Sequence, residues 1–257
     1  MGYAGLDLSG RLAVIIGGTS GIGRAIARGL AEAGANVVAT GRRGALVEAI
    51  AGEIEELGRR TLRQTADVTD PASLDALLAA CERLAPVDIL VNSAGITARA
   101  PTLSVSDADW ERILETNLTG TLRACRVFGS AMLRRGYGRI INVASLTASV
   151  GFYEVAAYAA SKAGVAALTR SLAVEWGSSG VCVNALVPGV FRTPLNEGLL
   201  DGTARGRELL LRTPMHRFGH PDELVGAAIF LASESASFVT GHLLAVDGGF
   251  LASGVNQ

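Results

Sequence analysis

The sequence predicts an α/β fold: one domain built on a doubly wound parallel sheet with helices on both faces. Three observations carry this expectation. Short apolar runs alternate with longer amphipathic stretches along the chain, which is the pattern of repeated strand–helix–strand units. The first apolar run leads directly into a glycine-rich turn that opens a helix, Gly17-Gly18-Thr19-Ser20-Gly21-Ile22-Gly23. No linker, repeat or low-complexity tract divides the 257 residues, so a single domain over 1–257 is expected.

The elements follow in order. Residues 12–16 read as a buried strand, and a helix over 21–33 is closed by Gly34. The next strand is 36–40, followed by a helical stretch to Leu57 that ends at Gly58. A strand is expected at 61–65, although its pattern is the weakest in the chain. Pro71 opens a helix to Leu84, where proline costs nothing because the first N–H of a helix has no partner. A strand at 88–91 comes next. Ser106-Asp107-Ala108-Asp109 has the form of a capping box and opens a long helix toward Arg135. Strands at 139–143 and 181–186 flank a helix over 156–176. Pro221 opens the last helix, to Ala232, and a strand at 243–246 precedes Asp247-Gly248-Gly249. These make seven strands, and right-handed crossovers wind them into one sheet. The irregular stretch 190–215, with Gly198, Gly202, Gly206 and two Thr-Pro steps, reads as a lid over the substrate.

Composition excludes several functions. Hydrophobic residues make up 49% of the chain, and the net charge is −1. The paired arginines are scattered, so a nucleic-acid surface is not expected. No apolar run reaches membrane-spanning length, and the N-terminus has no signal-peptide pattern. Cys81, Cys125 and Cys182 sit in apolar segments, as reduced buried thiols do. A cytoplasmic protein without a metal site is expected.

Two motifs carry chemistry. In the glycine turn, a strand precedes and a helix follows, which is the context that makes such a turn a phosphate site. The backbone can approach closely there, and the helix N-terminus offers free N–H groups and a favourable dipole. The second motif rests on the only lysine in the chain. Lys162 stands four residues after Tyr158, in Tyr158-Ala-Ala-Ser161-Lys162, although every other basic residue is arginine. On a helix the two side chains share a face one turn apart. A cation so placed is expected to lower the pKa of the phenol and make Tyr158 an acid/base near neutral pH.

Taken together the motifs resemble the short-chain dehydrogenase/reductase family over nearly the whole chain, and that resemblance implies a Rossmann-type sheet. The family's glycine pattern falls on Gly17, Gly21 and Gly23, with Thr19, Ser20 and Ile22 in the same loop. Its adenine contact falls on Asp67-Val68, and its Asn-Asn-Ala-Gly element on Asn92-Ser93-Ala94-Gly95. Its Pro-Gly step with a following Thr falls on Pro188, Gly189, Val190 and Thr193, where the family meets the nicotinamide amide. The catalytic set implied is Asn117, Ser145, Tyr158 and Lys162. Tyr158 would be the acid/base, and Ser145 would hold the substrate oxygen. Lys162 would tune Tyr158 and hold the nicotinamide ribose, and Asn117 would keep a water linking Lys162 to solvent. Two positions depart from the pattern: Ile16 stands where a Thr is usual, and Ser93 replaces the second Asn.

Cofactor choice is read after the second strand. NAD enzymes usually place an acid there for the ribose 2′-OH. Here the residues are Thr40-Gly41-Arg42-Arg43, and a guanidinium pairs with a 2′-phosphate. NADP is therefore preferred, with NAD possible. The loop 96–101 resembles family members acting on sugar acids and polyols, gluconate 5-dehydrogenase and 2-deoxygluconate dehydrogenase among them. Thr97, Arg99, Thr147 and Tyr153, beside Ser145 and Tyr158, are the expected substrate contacts. Two alternatives stay open: a 3-oxoacyl-carrier-protein reductase, and a non-catalytic NADP-binding sensor or structural subunit. A homotetramer is implied by the resemblance, and the apolar tail 248–255 suggests burial against a neighbouring subunit.

Overall fold

A computed structural model describes residues 3–193 and 200–256. Six parallel strands form one sheet in the order β2-β1-β3-β4-β5-β6. They are β1 (Leu12–Ile16), β2 (Asn36–Thr40), β3 (Ile89–Asn92), β4 (Gly138–Val143), β5 (Val181–Pro188) and β6 (Leu243–Val246). The chain runs outward from β1 to β2 and then returns to place β3 on the other side of β1. That reversal opens a crevice above the carboxyl ends of β1 and β3, the usual ligand position in such sheets.

The buried strands are apolar on both faces because helices cover both. Ala13 and Ile15 face a cluster with Ile26, Leu30, Ile50, Ile54 and Leu231. Those residues lie on α1 (Gly21–Glu32), α2 (Gly44–Glu56) and the last helix. Leu12, Val14 and Ile16 face Leu74, Leu77, Phe128 and Leu172. These come from α3 (Pro71–Leu84), α5 (Gly120–Arg135) and α6 (Ala156–Trp176). Among the described residues the further α-helices are α4 (Asp107–Leu114), α7 (Ala204–Arg212) and α8 (Val225–Ala232).

Two elements differ from expectation. The strand expected at 61–65 is an extended segment beside β2. The Val37 N–H donates to the Arg60 carbonyl, and the Ala66 N–H donates to that of Gly41. Between them the Gln64 carbonyl is taken by the Thr40 hydroxyl at 2.6 Å, so a side chain occupies the place of a ladder bond. The long helix expected from 106 to 135 is capped by Ser106, whose Oγ accepts the Asp109 N–H at 3.1 Å. It is then broken by a π-helical turn, Glu115–Thr119. That turn carries Asn117, and such turns recur at functional sites.

Among the described residues no helix is long and apolar enough to cross a membrane. All three cysteines are free and buried. Of the stretch 190–215 expected to form a lid, residues 194–199 lie outside the described residues. Its two ends are stitched together: Phe191 bridges Gly219, and the Gly219 N–H donates to the Val190 carbonyl at 2.9 Å.

Candidate active site

A cavity of about 550 Å³ fills the crevice. Its floor is made of strand ends, so parallel register alone brings distant parts of the sequence together. Gly17 follows β1, Gly41 to Arg43 follow β2, Ser93 to Ile96 follow β3, Val143 to Ser145 close β4, and Pro188-Gly189 closes β5.

At one end lies the glycine turn. Gly17, Thr19, Ser20, Gly21, Ile22 and Gly23 all line the cavity. Gly17 has φ +82°, and a Cβ there would sit 2.5 Å from the Ala94 nitrogen. Only glycine lets the first turn press onto the loop after β3. Arg42 and Arg43 are exposed at the rim beside it. Asp67 and Val68 line the same end. Burial works against the Asp67 carboxylate. The Thr69 N–H at 2.9 Å, the Thr69 hydroxyl at 2.8 Å and the nearby Arg42 guanidinium outweigh it and hold the pKa below the ordinary value.

At the other end stand Ser145, Tyr158 and Lys162, all on the cavity wall. Tyr158 and Lys162 occupy successive turns of α6, and the Tyr158 side chain is hydrogen-bonded to Ser145. The Lys162 Nζ lies 5.7 Å from the Tyr158 ring centre and donates to the Val143 carbonyl at 2.7 Å. Electrostatics here differ from expectation. Burial raises the pKa of Tyr158 above its usual 10, and the bond from Ser145 offsets that only in part. Burial also pushes Lys162 down to about 8. The lysine does not offset the burial of the phenol, because burial weakens its own charge and its Nζ is anchored on the Val143 carbonyl.

Asn117 is fully buried behind this wall. Its Oδ1 accepts the Ile96 N–H at 2.8 Å, and its Nδ2 donates to the Ile96 carbonyl at 2.9 Å and to the Ser161 hydroxyl at 3.0 Å. The side chain thus clasps the loop after β3 to α6. A Cβ on Gly95 would be 3.4 Å from the Asn117 Oδ1 and 3.5 Å from the Lys162 Nζ.

Ala94, Gly95, Pro188, Gly189 and Thr193 line the cavity, as expected of cofactor contacts, but Asn92 and Val190 do not. Asn92 pairs in register with Asn142 on β4 and points away from the crevice. Its Nδ2 donates to the Asn142 Oδ1 at 2.8 Å, and Asn142 passes the chain to the Thr169 hydroxyl at 2.9 Å. Val190 is held by its carbonyl on Gly219 and packs into the apolar cluster beneath α7. Of the six expected substrate residues, Ser145 and Tyr158 line the cavity, whereas Thr97, Arg99, Thr147 and Tyr153 do not. Thr97 and Tyr153 are exposed. The Arg99 Nε lies 2.6 Å from the Glu154 carboxylate. Thr147 is buried, and its hydroxyl has no hydrogen-bond partner. Thr116 and Phe191 line the cavity without any sequence pattern that singles them out. Thr116 is brought there by the π-helical turn and Phe191 by its bridge to Gly219.

A glycine turn at the switch point of a parallel sheet, facing a Ser, Tyr and Lys set across one cavity, defines the class of dinucleotide-dependent oxidoreductases. Within that class the chain belongs to the short-chain dehydrogenase/reductase family. A family model of these enzymes, described as enoyl-(acyl carrier protein) reductase, matches residues 17–251. The chain is 39% identical to the 2-dehydro-3-deoxy-D-gluconate 5-dehydrogenase of Bacillus subtilis over 98% of its length and 99% of the relative's. It is 42% identical to the galactitol 2-dehydrogenase (L-tagatose-forming) of Cereibacter sphaeroides, covering 95% and 96%. Among solved structures it resembles a gluconate 5-dehydrogenase from Burkholderia cenocepacia in complex with NADP and tartrate. That match has a TM-score of 0.94 and 39% identity, covering 97% of this chain and 98% of the other.

Proposed function

We propose that the protein is an NADP-preferring dehydrogenase that interconverts a secondary alcohol and a ketone on a small sugar acid or polyol. The observation that carries this reading is the single cavity walled by the glycine turn at one end and by Ser145, Tyr158 and Lys162 at the other. The residues present fit a dinucleotide phosphate. The turn presents backbone at close range, and two arginines with no acid stand where the 2′-phosphate would lie. Such a cofactor, when bound, supplies the hydride acceptor or donor. Asp67 and Val68 would hold the adenine end, and Pro188, Gly189 and Thr193 the amide end.

The protein moves the proton. In oxidation the Tyr158 Oη takes the proton of the substrate hydroxyl, and in reduction it returns one to the carbonyl oxygen. The Ser145 hydroxyl holds that oxygen in line with Tyr158. Lys162 has a pKa near 8 and lies one turn behind, so it can carry a proton onward or favour the phenolate once it is charged. The Asn117 clasp fixes the loop that faces this exchange. The activities named for the relatives from Bacillus subtilis and Cereibacter sphaeroides support a sugar acid or polyol. The test is a panel of gluconates, polyols and acyl thioesters assayed with both cofactors. Higher kcat/KM for the polyhydroxylated compounds with NADP is expected, and a strong preference for acyl thioesters would overturn the substrate class.

We also propose a cytoplasmic homotetramer. The three free buried cysteines support a reducing compartment. The outer face of α6 exposes Ala160, Ala163, Ala167 and Val174 at helical spacing, and β6 is an incompletely covered edge strand. Both surfaces support contact with further copies. Of the apolar tail, Phe250 is buried within its own chain, whereas Val255 is 86% exposed. Light scattering should give four times 26.4 kDa.

A further inference from the structure

The last strand leads into Asp247, and its carboxylate is used within its own turn. Oδ1 accepts the Gly249 N–H at 2.9 Å, and Oδ2 accepts the Leu251 N–H at 2.8 Å. Both acceptors are needed to close the chain into the 3-10 turn Phe250–Ala252.

Three parts of the active-site region rest on this turn. The Gly189 N–H donates to the Val246 carbonyl at 2.9 Å, and a Cβ on Gly189 would meet the Asp247 Cα at 2.5 Å. The Pro188-Gly189 floor of the cavity therefore lies directly on Asp247. The Met215 N–H donates to the Gly248 carbonyl at 3.2 Å, which ties down the exit of α7. Phe250 is 5% exposed and belongs to a cluster with Leu146, Leu200 and Leu209. Its ring stands 5.8 Å from that of Phe152, in the loop between Ser145 and Tyr158, and the Arg212 guanidinium lies 5.6 Å from it.

The arrangement is a keystone. One carboxylate holds a turn that touches the floor, the roof helix and the loop between the two proposed reacting residues. We propose that Asp247 is a positioning residue: it sets α7 and the Pro188-Gly189 floor at a fixed height relative to Ser145 and Tyr158. A displacement of the order of 1 Å at a reacting centre is enough to cost about a hundredfold in rate. The glycine turn, Arg42 and Asp67 sit over β1 and β2 at the opposite end of the cavity, so they are independent of this keystone. The inference rests on the reading of Ser145 and Tyr158 as the reacting pair.

The experiment compares Asp247→Ala, Asp247→Asn and Phe250→Leu with the wild type and with Tyr158→Phe. The substrate is the panel compound with the highest kcat/KM. Asp247→Ala is expected to lower kcat at least tenfold (roughly, from a loosened roof), with NADPH affinity by fluorescence titration falling less than kcat, because of the cofactor contacts only the amide end rests on the Pro188-Gly189 floor. Asp247→Asn keeps one carbonyl acceptor and should recover part of the loss. Deuterium uptake should rise in 200–219 and stay unchanged in 12–43. If Asp247→Ala does not fold, Phe250→Leu retains the turn and should show the same pattern more weakly. Wild-type kcat and wild-type exchange in Asp247→Ala would overturn the proposal. So would a loss confined to melting temperature, with kcat per folded molecule unchanged. If Tyr158→Phe is inactive while Asp247→Ala is fully active, only this inference fails. If Tyr158→Phe retains full activity, the underlying reading fails.

Discussion

The two ends of the cavity are built by different means. At the cofactor end, the glycine turn, Gly41 to Arg43 and Asp67-Val68 each follow a strand or lie beside β2, and every one of them lines the crevice. Beside the other end, and apart from Ile96 outside the cavity lining, the loop 96–101, the loop 147–154 and α7 come from separate stretches, held by Arg99 on Glu154, Arg205 on the Tyr153 carbonyl and the turn at Asp247. The cofactor end is an output of sheet register. The substrate end is an output of side-chain contacts between loops. A parallel sheet therefore fixes the first end once its strands are known, whereas the second must be assembled piece by piece.

The difference predicts that catalysis fails hardest where both ends share one group. Tyr158→Phe removes the proton-transfer oxygen, and turnover should fall about 10²–10⁴-fold with little change in NADPH binding. Lys162→Arg should also be severely impaired, because the broad guanidinium does not fit the point contact on the Val143 carbonyl. The pH profile follows from the same group. Tyr158 is pushed upward by burial and Lys162 is pushed down to about 8. Oxidation needs Tyr158 without its proton, so its rate should keep rising above pH 8, whereas reduction needs the proton and should hold level there. An oxidation rate that plateaus below pH 7 would show that bound cofactor reverses the burial effect.

Next in size is the cofactor end itself. Arg42→Glu removes a charged hydrogen-bond donor worth about 1.5–3 kcal/mol and adds repulsion, so NADPH affinity should fall roughly tenfold or more. NADH should bind as well as before or better. Equal use of both cofactors by the wild type would remove the rationale for this end.

Legibility in the sequence follows the same divide. The glycine turn, Ser145 and the Tyr158–Lys162 spacing were readable because each is a local pattern attached to a strand end or a helix face. Asn92 sits in a similar local pattern, yet its side chain lies under α5, bonded to Asn142 and to the Cys125 thiol. Motif adjacency does not give the face of a strand, whereas the pairing of Asn92 with Asn142 does. The segment 61–65 keeps backbone bonds to the β2 side only at its ends, at Arg60 and Ala66, with the Thr40 hydroxyl on the Gln64 carbonyl between them. The apolar tail alone does not tell which of its residues fold back: Phe250 finds Phe152 within its own chain, a contact between residues about a hundred apart in sequence, whereas Val255 stays exposed. Asn92→Ala sharpens the point. It leaves the buried Asn142 Oδ1 with only the weak Cys125 thiol donor at 3.7 Å, which should cost about 1–3 kcal/mol of stability. NADPH affinity should stay unchanged, and calorimetry with a binding titration separates the two effects.

The smallest expected effect lies at the substrate end, and its value is in its sign. Arg99 is 43% exposed and bound to Glu154, which is 17% exposed. Glu154 also holds a left-handed backbone, φ +64°, which is uncommon for a residue with a side chain. If Arg99 meets a substrate carboxylate, Glu154 competes with that carboxylate for the same guanidinium. Arg99→Ala should then raise KM for a sugar acid, and Glu154→Gln should lower it, because the competing charge is gone. Exposed ion pairs are worth about 0.2–1 kcal/mol, so each change should be two- to fivefold. A neutral polyol should respond to neither. Steady-state KM values for a gluconate and a polyol on both variants decide the matter. Equal responses of the two substrates would mean that the Arg99–Glu154 pair only fastens the loop 96–101 to the loop 147–154, and that the carboxylate of an acidic substrate is met elsewhere.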